Sequence, residues 1–261
     1  MSAKGKGTNR GRRFVLVIYW TLRSIVLVIL VHSLIRARYE NAATCLLTLG
    51  LFFLPSLAER KLRIALPDTL EVMLLLFIFA AEILGELSAW YVRVAGWDTM
   101  LHAINGFLFA AIGFSLADLL NREEDIQFTL SPFFLSLVAF SFSMTIGVLW
   151  EFFEFGMDRL FLFDMQKDTV IHSFSSVMLD PLNQNRAVAV EEITSVSVNG
   201  NSLPVVGYLD IGLIDTMKDL LVNFIGAIAF SMLGYFYTQK QGRGKLARHF
   251  IPVVLRKKRK G

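Results

Sequence analysis

The stretch WDTMLHAINGFLFAAIGFSLADLL, residues 97–120, decides the fold. From Met100 to Leu120 it is an apolar run of membrane-spanning length, because a hydrocarbon core about 30 Å thick needs roughly 20 such residues in a helix. Inside lipid the run must be helical, since its backbone groups find no water to bond. The polar residues at its start are ordered. Asp98, His102 and Asn105 recur at spacings of four and three, which puts them on one helix face.

Five further runs flank this one: Phe14 to Ile35, Asn41 to Ala58, Thr69 to Val92, Pro132 to Phe155, and Leu213 to Tyr237. The second is the shortest. Hydrophobic residues make up 54% of the chain and charge is confined to short islands, the opposite of a soluble domain's mixture. The expected fold is all-α, a polytopic membrane helical bundle of about six transmembrane helices with a small extracytoplasmic insertion. Lys4, Lys6, Arg10, Arg12 and Arg13 before the first run resemble a signal-peptide n-region. The run is longer than a signal core and ends in Arg36-Ala37-Arg38, so it reads as a retained helix. Cys45 is the only cysteine, which excludes an intramolecular disulfide.

Orientation follows from the loops' Lys and Arg. With the N-terminus inside, the inner segments carry 18, the outer segments seven, and Arg23 within the first run completes the 26. This reading divides the chain into a basic cytoplasmic tail (1–13), helices one to five (14–157), an extracytoplasmic loop (158–212), helix six (213–238) and a second basic cytoplasmic tail (239–261). Trp90, Tyr91 and Trp97 cluster at the outer turn between helices three and four, where amphipathic rings sit at an interface. Both termini are expected in the cytoplasm of a multi-pass plasma-membrane protein. Their basic runs, including Arg256-Lys257-Lys258-Arg259-Lys260, fit anionic lipid headgroups rather than nucleic acid.

Two local signals are expected to shape the connections. Asp68 and Glu71 after Pro67 read as a capping box. Alternation over Ile193 to Val198, followed by Asn199-Gly200-Asn201 and Ser202-Leu203, reads as a β-hairpin in the insertion.

Ionisable residues within membrane helices cost about 2.5–3.5 kcal/mol each near the centre on insertion scales, so a chain that keeps several uses or pairs them. Glu82 and Glu86 lie four apart on helix three. Glu151, Glu154 and Asp158 close helix five at spacings of three and four, and Asp215, Asp219 and Asn223 open helix six at four and four. At 1.5 Å rise per residue, His102, Glu154 and Asp219 each sit roughly 5–10 Å below the outer end of their helix. The expectation is a shared, outward-facing polar cup, with the inner halves nearly free of acids.

Crowded carboxylates repel one another, and a divalent cation of unspecified identity relieves that cost. Asp98, His102, Asp215 and Asp219 are the expected metal ligands, since their oxygen and nitrogen donors suit such ions. Glu151 and Glu154 are the expected acid–base pair, Arg159 and Lys218 the expected contacts to an anionic substrate, and Arg23, Glu82, Glu86, Asn105 and Asn223 the structural polar residues. Each has a plainer reading. His102 alone is an ordinary hydrogen-bonded core histidine, Asp215 and Asp98 cap helices, Asp158 pairs with Arg159 or Arg186, and Arg23 pairs with Glu82. Glu151 and Glu154 fit no cap.

Three motifs carry a family resemblance. Asp98, His102 and Gly106 form D-x3-H-x3-G; Glu151, Glu154 and Phe155 form E-x-x-E-aromatic; Asp215-Thr216, Asp219 and Gly226-Ala227 form D-T-x2-D-x6-G-A. In this order they resemble the YjdF-like family of bacterial inner-membrane proteins, whose activity is unassigned. The family pattern often has Trp where Phe155 stands, and a much shorter loop in place of 158–212. The resemblance implies a bacterial plasma membrane and that the acidic stripes belong together; it names no substrate.

The leading expectation is a divalent-metal-dependent hydrolase or transferase acting on a membrane-associated substrate. The alternatives are an ion- or proton-coupled transporter, against which stands the lack of an inverted repeat, and a non-enzymatic membrane component that uses the polar cluster as structural glue.

Overall fold

The computed structural model describes residues 9–62, 64–121, 130–240, 249–251 and 253–254. Two compact units divide the chain, residues 1–147 with 220–261 and residues 148–219.

The first unit begins with α1 (Asn9–Ile35), which turns at Arg36-Ala37 into α2 (Tyr39–Leu51) and, after a one-turn break, α3 (Leu54–Leu62). Val15, Leu22, Val26 and Leu30 make a buried stripe on α1, while Val17, Trp20, Val28 and Val31 stay exposed. That division suits a helix with one face on protein and the other on lipid. The stripe joins Ala42, Cys45 and Phe52 of α2 and α3's lead-in, with Leu75, Ile78 and Ile83, in one apolar cluster.

Strand β1 (Ile64–Ala65) leads into α4 (Asp68–Phe79), which continues as a π-helical stretch, Ala80–Leu87. A short helix, α5 (Trp90–Arg93), and left-handed Gly96 then turn the chain into α6 (Trp97–Asn121). The rings of Trp90 and Trp97 meet edge to face at 4.6 Å in this turn. The capping box does not form. Pro67 occupies the cap position, Asp68 makes no cap bond, and the Glu59 carboxylate instead accepts the Leu66 N–H.

The longer core of this unit gathers Leu108, Ala110, Ala111, Phe114 and Ala117 of α6, Leu135 and Ala139 of α7 (Pro132–Phe161), and Ala227 and Phe230 of α8 (Leu213–Gln239). Leu66, Leu70 and Ile251 complete it. Strand β8 (Val253–Val254) pairs antiparallel with β1, Ile64 opposite Val254 and Ala65 opposite Val253.

The second unit holds the far part of α7, the beginning of α8, and the insertion between them. Its strands form three antiparallel pairs: β2 (Val170–Ile171) with β7 (Tyr208–Leu209), β3 (Phe174–Ser176) with β4 (Val188–Val190), and β5 (Ser197–Val198) with β6 (Asn201–Ser202). The last is the expected hairpin, shorter than its sequence signal. Asn199 and Gly200 both take positive φ, 52° and 81°, the turn that Asn-Gly favours.

Among the described residues, five helices are long and apolar enough to cross a membrane: Gly11–Ile35, Tyr39–Lys61, Trp97–Asp118, Pro132–Phe161 and Leu213–Gln239. About six were expected from the sequence, with the second the weakest. The second qualifies. The third, Thr69 to Val92, is helical over Asp68–Phe79 and Ala80–Leu87 but carries Glu71, Glu82 and Glu86, so it falls short on composition. The molecule is a helical, multi-pass membrane protein.

Candidate metal group and its helix crossing

The site is built where α6 and α8 meet. A Cβ on Gly106 would strike the main-chain oxygen of Asn223, and one on Gly226 would strike that of Ala103. Glycine at both positions lets the two backbones approach, as small residues do between membrane helices. A Cβ on Gly147 of α7 would come within 2.6 Å of the Asn223 amide nitrogen, so a third helix closes on the same point.

Hydrogen bonds tie the three helices together there. Ser143 donates to the Gly106 carbonyl at 2.7 Å, Asn105 Nδ2 donates to Asn223 Oδ1 at 3.4 Å, and Asn223 Nδ2 reaches the Ser143 carbonyl at 3.5 Å. Ser143 and Asn223 are fully buried, and Asn105 nearly so. Asn105 and Asn223, expected as structural polar residues, bond each other directly.

One turn further along each helix lie the acids and the histidine. Helix α8 runs unbroken from Asp219, the last residue of the second unit, into Leu220. Asp98, His102 and Asp219 each offer one ligand atom, all within 4.8 Å of one another. His102 and Asp219 are buried and Asp98 is half-buried. His102 Nε2 stands 3.7 Å from Asp98 Oδ1, too far for a hydrogen bond. Two ligands of one tetrahedral ion at bonds of about 2.0–2.2 Å lie roughly 3.3–3.6 Å apart, so this spacing suits a shared ion. One imidazole and two carboxylates form a hard-to-borderline donor set that leaves coordination positions open.

Asp215, expected as a fourth ligand, is outside this group. Its Oδ2 accepts the Lys167 N–H at 2.7 Å, so it fastens the insertion to the start of α8. Asp158 does similar work: its two oxygens accept the N–H groups of Met165 and Gln166, in place of the expected pairing with Arg159 or Arg186. Asp210 accepts from Thr169 and from Ile214, capping α8, a role the sequence reading had left to Asp215. Gln166 donates to the Thr216 hydroxyl at 2.5 Å.

Glu151 and Glu154 are buried on α7, and Glu154 Oε1 accepts the indole N–H of Trp150 at 2.8 Å. Arg159 and Lys218 are exposed at the end of α7 and the start of α8. Glu82 is half-buried and Glu86 exposed, both within the π-helical stretch. Such stretches often accompany function. The expected Arg23–Glu82 ion pair is absent among the described residues. The Arg23 guanidinium lies instead over the rings of Tyr19 and Phe53, 4.7 and 4.2 Å from their centroids. Ring faces attract a cation in an apolar helix without a counter-charge.

Sequence reasoning did not single out Asp118, which is buried near the far end of α6, in a half expected to be nearly free of acids. Its spacing from Ser115, three residues and also buried, was the available signal.

A family model described as "Predicted membrane protein (DUF2238)" matches residues 18–240. A Thermotoga maritima protein described as "Uncharacterized protein" is 25% identical over 137 residues, 50% of this chain and 65% of that protein. The match therefore spans a little under two-thirds of the relative's length. No solved structure matches with significance.

Proposed function

This chain belongs to the DUF2238 family of predicted membrane proteins, the YjdF-like family, and on that premise we propose that it is a divalent-metal-dependent hydrolase or transferase for a membrane-associated substrate. The observation that carries the proposal is the convergence of Asp98, His102 and Asp219 on a point where two glycines bring their helices together. Asp98, His102 and Asp219 hold the ion, and a bound divalent ion supplies a water acidified toward neutral pH. Glu151 and Glu154 are the proton carriers in this reading, since a buried carboxylate can act as general base. Arg159 and Lys218, both exposed, attract an anionic headgroup.

The site faces the outer side of a plasma membrane in this proposal, with both termini in the cytoplasm. Pairing of β1 with β8 supports the even number of crossings this requires. It puts Val253–Val254 beside Ile64–Ala65, which follow α3, and the short turn after α1 returns α2 and α3 to the end where α1 begins. Reporter fusions at each terminus test the orientation; a reporter active only outside the cytoplasm would overturn it.

A structural reading rests on a specific observation too: the Asn105–Asn223–Ser143 network already locks the three helices. Metal content separates the two. Protein purified in detergent should carry about one divalent ion per chain, and His102→Ala or Asp219→Asn should lose it while remaining monodisperse and helical. Metal-free wild-type protein that cannot be reloaded would leave only the structural role.

A further inference from the structure

The insertion between α7 and α8 carries an apolar tip that its own fold leaves bare. After β3, a single 3-10 turn, Val177–Leu179, and then Asp180-Pro181-Leu182 lead back toward β4. Met178 is 88% exposed and Leu182 66%, and Val177 and Leu179 are exposed as well. Large apolar side chains clustered on an exposed turn mark a surface that something else covers.

The tip's backbone is prepared to leave water. Ser176 Oγ accepts the Met178 N–H at 3.1 Å, and the Val177 carbonyl accepts that of Asp180. The buried Asp180 carboxylate accepts from Leu182, Gln184 and Arg186, and its carbonyl accepts from Asn183. Pro181 has no N–H to satisfy. A protein partner would offer bonding groups of its own. Hydrocarbon offers none, so a segment that enters it must bond its own N–H groups.

Charge agrees. Between Phe174 and Val190 the only charged residues are Arg186 and Asp180, whose carboxylate is turned onto the loop's own amides. The rest of the insertion is acidic, with Asp158, Asp164, Asp168, Glu191, Glu192 and Asp210. The segment with the bare apolar side chains is thus the one that presents no free acid.

A bilayer is already at hand. Helices α7 and α8 both have the length and composition to cross one. Exposed apolar residues continue to the insertion's two roots, Leu160 to Phe163 on one side and Ile211, Leu213 and Met217 on the other. The tip has the reach to return to them. The rings of Phe174 and Tyr208 stack at 5.1 Å, and Tyr208 is five residues before Leu213, at most about 18 Å of chain. Met178 lies four residues past Phe174, at most about 14 Å.

We infer that Val177, Met178, Leu179 and Leu182 form a finger that dips into the leaflet surrounding the end of α7 and the start of α8. Its irregular backbone keeps it at the boundary between headgroups and acyl chains, about 5–10 Å deep. Arg186, at the base of the finger, supplies a cation for the phosphates there. None of these residues belongs to the metal group, so the finger can fail while the metal reading stands, and the reverse.

The test attaches one fluorophore at a time to the full chain, in lipid nanodiscs that hold one chain each. On a Cys45→Ala background, Met178→Cys and Glu191→Cys each provide a single exposed thiol. The discs are phosphatidylcholine and phosphatidylglycerol, with or without spin-labelled phosphatidylcholine as the quencher in the bilayer; iodide is the quencher in water. The label at 178 should be quenched severalfold more by the spin-labelled lipid than the label at 191, and severalfold less by iodide. A label at 178 as open to iodide as the one at 191 overturns the finger. A label at 178 shielded from both quenchers overturns it as well, because protein then covers the tip.

Discussion

The backbone of Gly106 on α6 rests directly against the main-chain oxygen of Asn223 on α8, leaving no room for even a methyl group. Gly106 is the last residue of the Asp98–His102–Gly106 motif, and Asn223 follows Asp219 by one turn. The contact thus sets the separation of the helices that bring the metal-group residues together. A motif glycine here is a spacer for the candidate metal group, which begins four residues away.

Gly106→Ala should therefore destabilise the protein by about 1–3 kcal/mol or more through overpacking, and Gly226→Ala should do the same. Gly50→Ala is the control. No atom lies within 4 Å of its added Cβ, and alanine favours helix by about 0.5–1 kcal/mol. Thermal unfolding in detergent should lower the midpoint for the first two and leave or raise it for the third. Equal effects at all three positions would refute the spacing argument.

Asp215 and Asp219 should separate by function although they lie four residues apart on one helix. Asp215→Asn should keep its metal but loosen the 165–167 segment, read as faster amide exchange at Lys167, whose N–H loses its carboxylate acceptor. Asp219→Asn should lose metal with Lys167 still protected. Loss of metal in both would return Asp215 to the ligand set.

Asn105→Ala and Asn223→Ala should be coupled. Interhelical hydrogen bonds in membranes measure about 0.6 kcal/mol on average and up to about 1.7, and the 3.4 Å bond between these two is long. A double-mutant cycle on unfolding in detergent should give a coupling within that range. Strict additivity would mean the bond contributes nothing.

In the insertion, Asp180 accepts N–H bonds from Leu182, Gln184 and Arg186. These hold its carboxylate below the usual range, the Leu182 amide most of all. A lowered folded value means that the folded loop binds its proton less readily than the unfolded chain. The stabilisation is complete above the unfolded value near 3.9 and disappears as pH falls through the lower folded value. Protection of the three amides, corrected for intrinsic exchange, should hold at about pH 5 and fall toward about pH 2.5. Asp180→Ala should lack it at every pH.

The hairpin turn offers a narrower check. Gly200 sits at φ +81° with open space around it, so Gly200→Ala strains backbone without creating a clash. Amide exchange near Ser202 should rise, with unfolding of the helical bundle unchanged. A shift in the bundle's midpoint would mean the hairpin is part of the bundle's cooperative unit.

Hydropathy alone determined that this chain is a multi-pass helical membrane protein. Hydrocarbon leaves a spanning backbone no partner but itself, so an apolar run of sufficient length has one solution. Helical period alone put Asp98 with His102, and Asp219 with Asn223, on common faces. The Asn-Gly turn was equally legible, because left-handed backbone demands those residues. Which acids converge was beyond sequence. Asp215 and Asp219 share a face, yet one accepts the Lys167 amide of the folded insertion while the other joins the candidate metal group. Arg23 found aromatic rings instead of Glu82, and Phe250 and Ile251 entered the core by packing contacts with partners distant in the chain. Local pattern fixes what one element does on its own; the pairing of distant groups depends on the distances that only packed helices set.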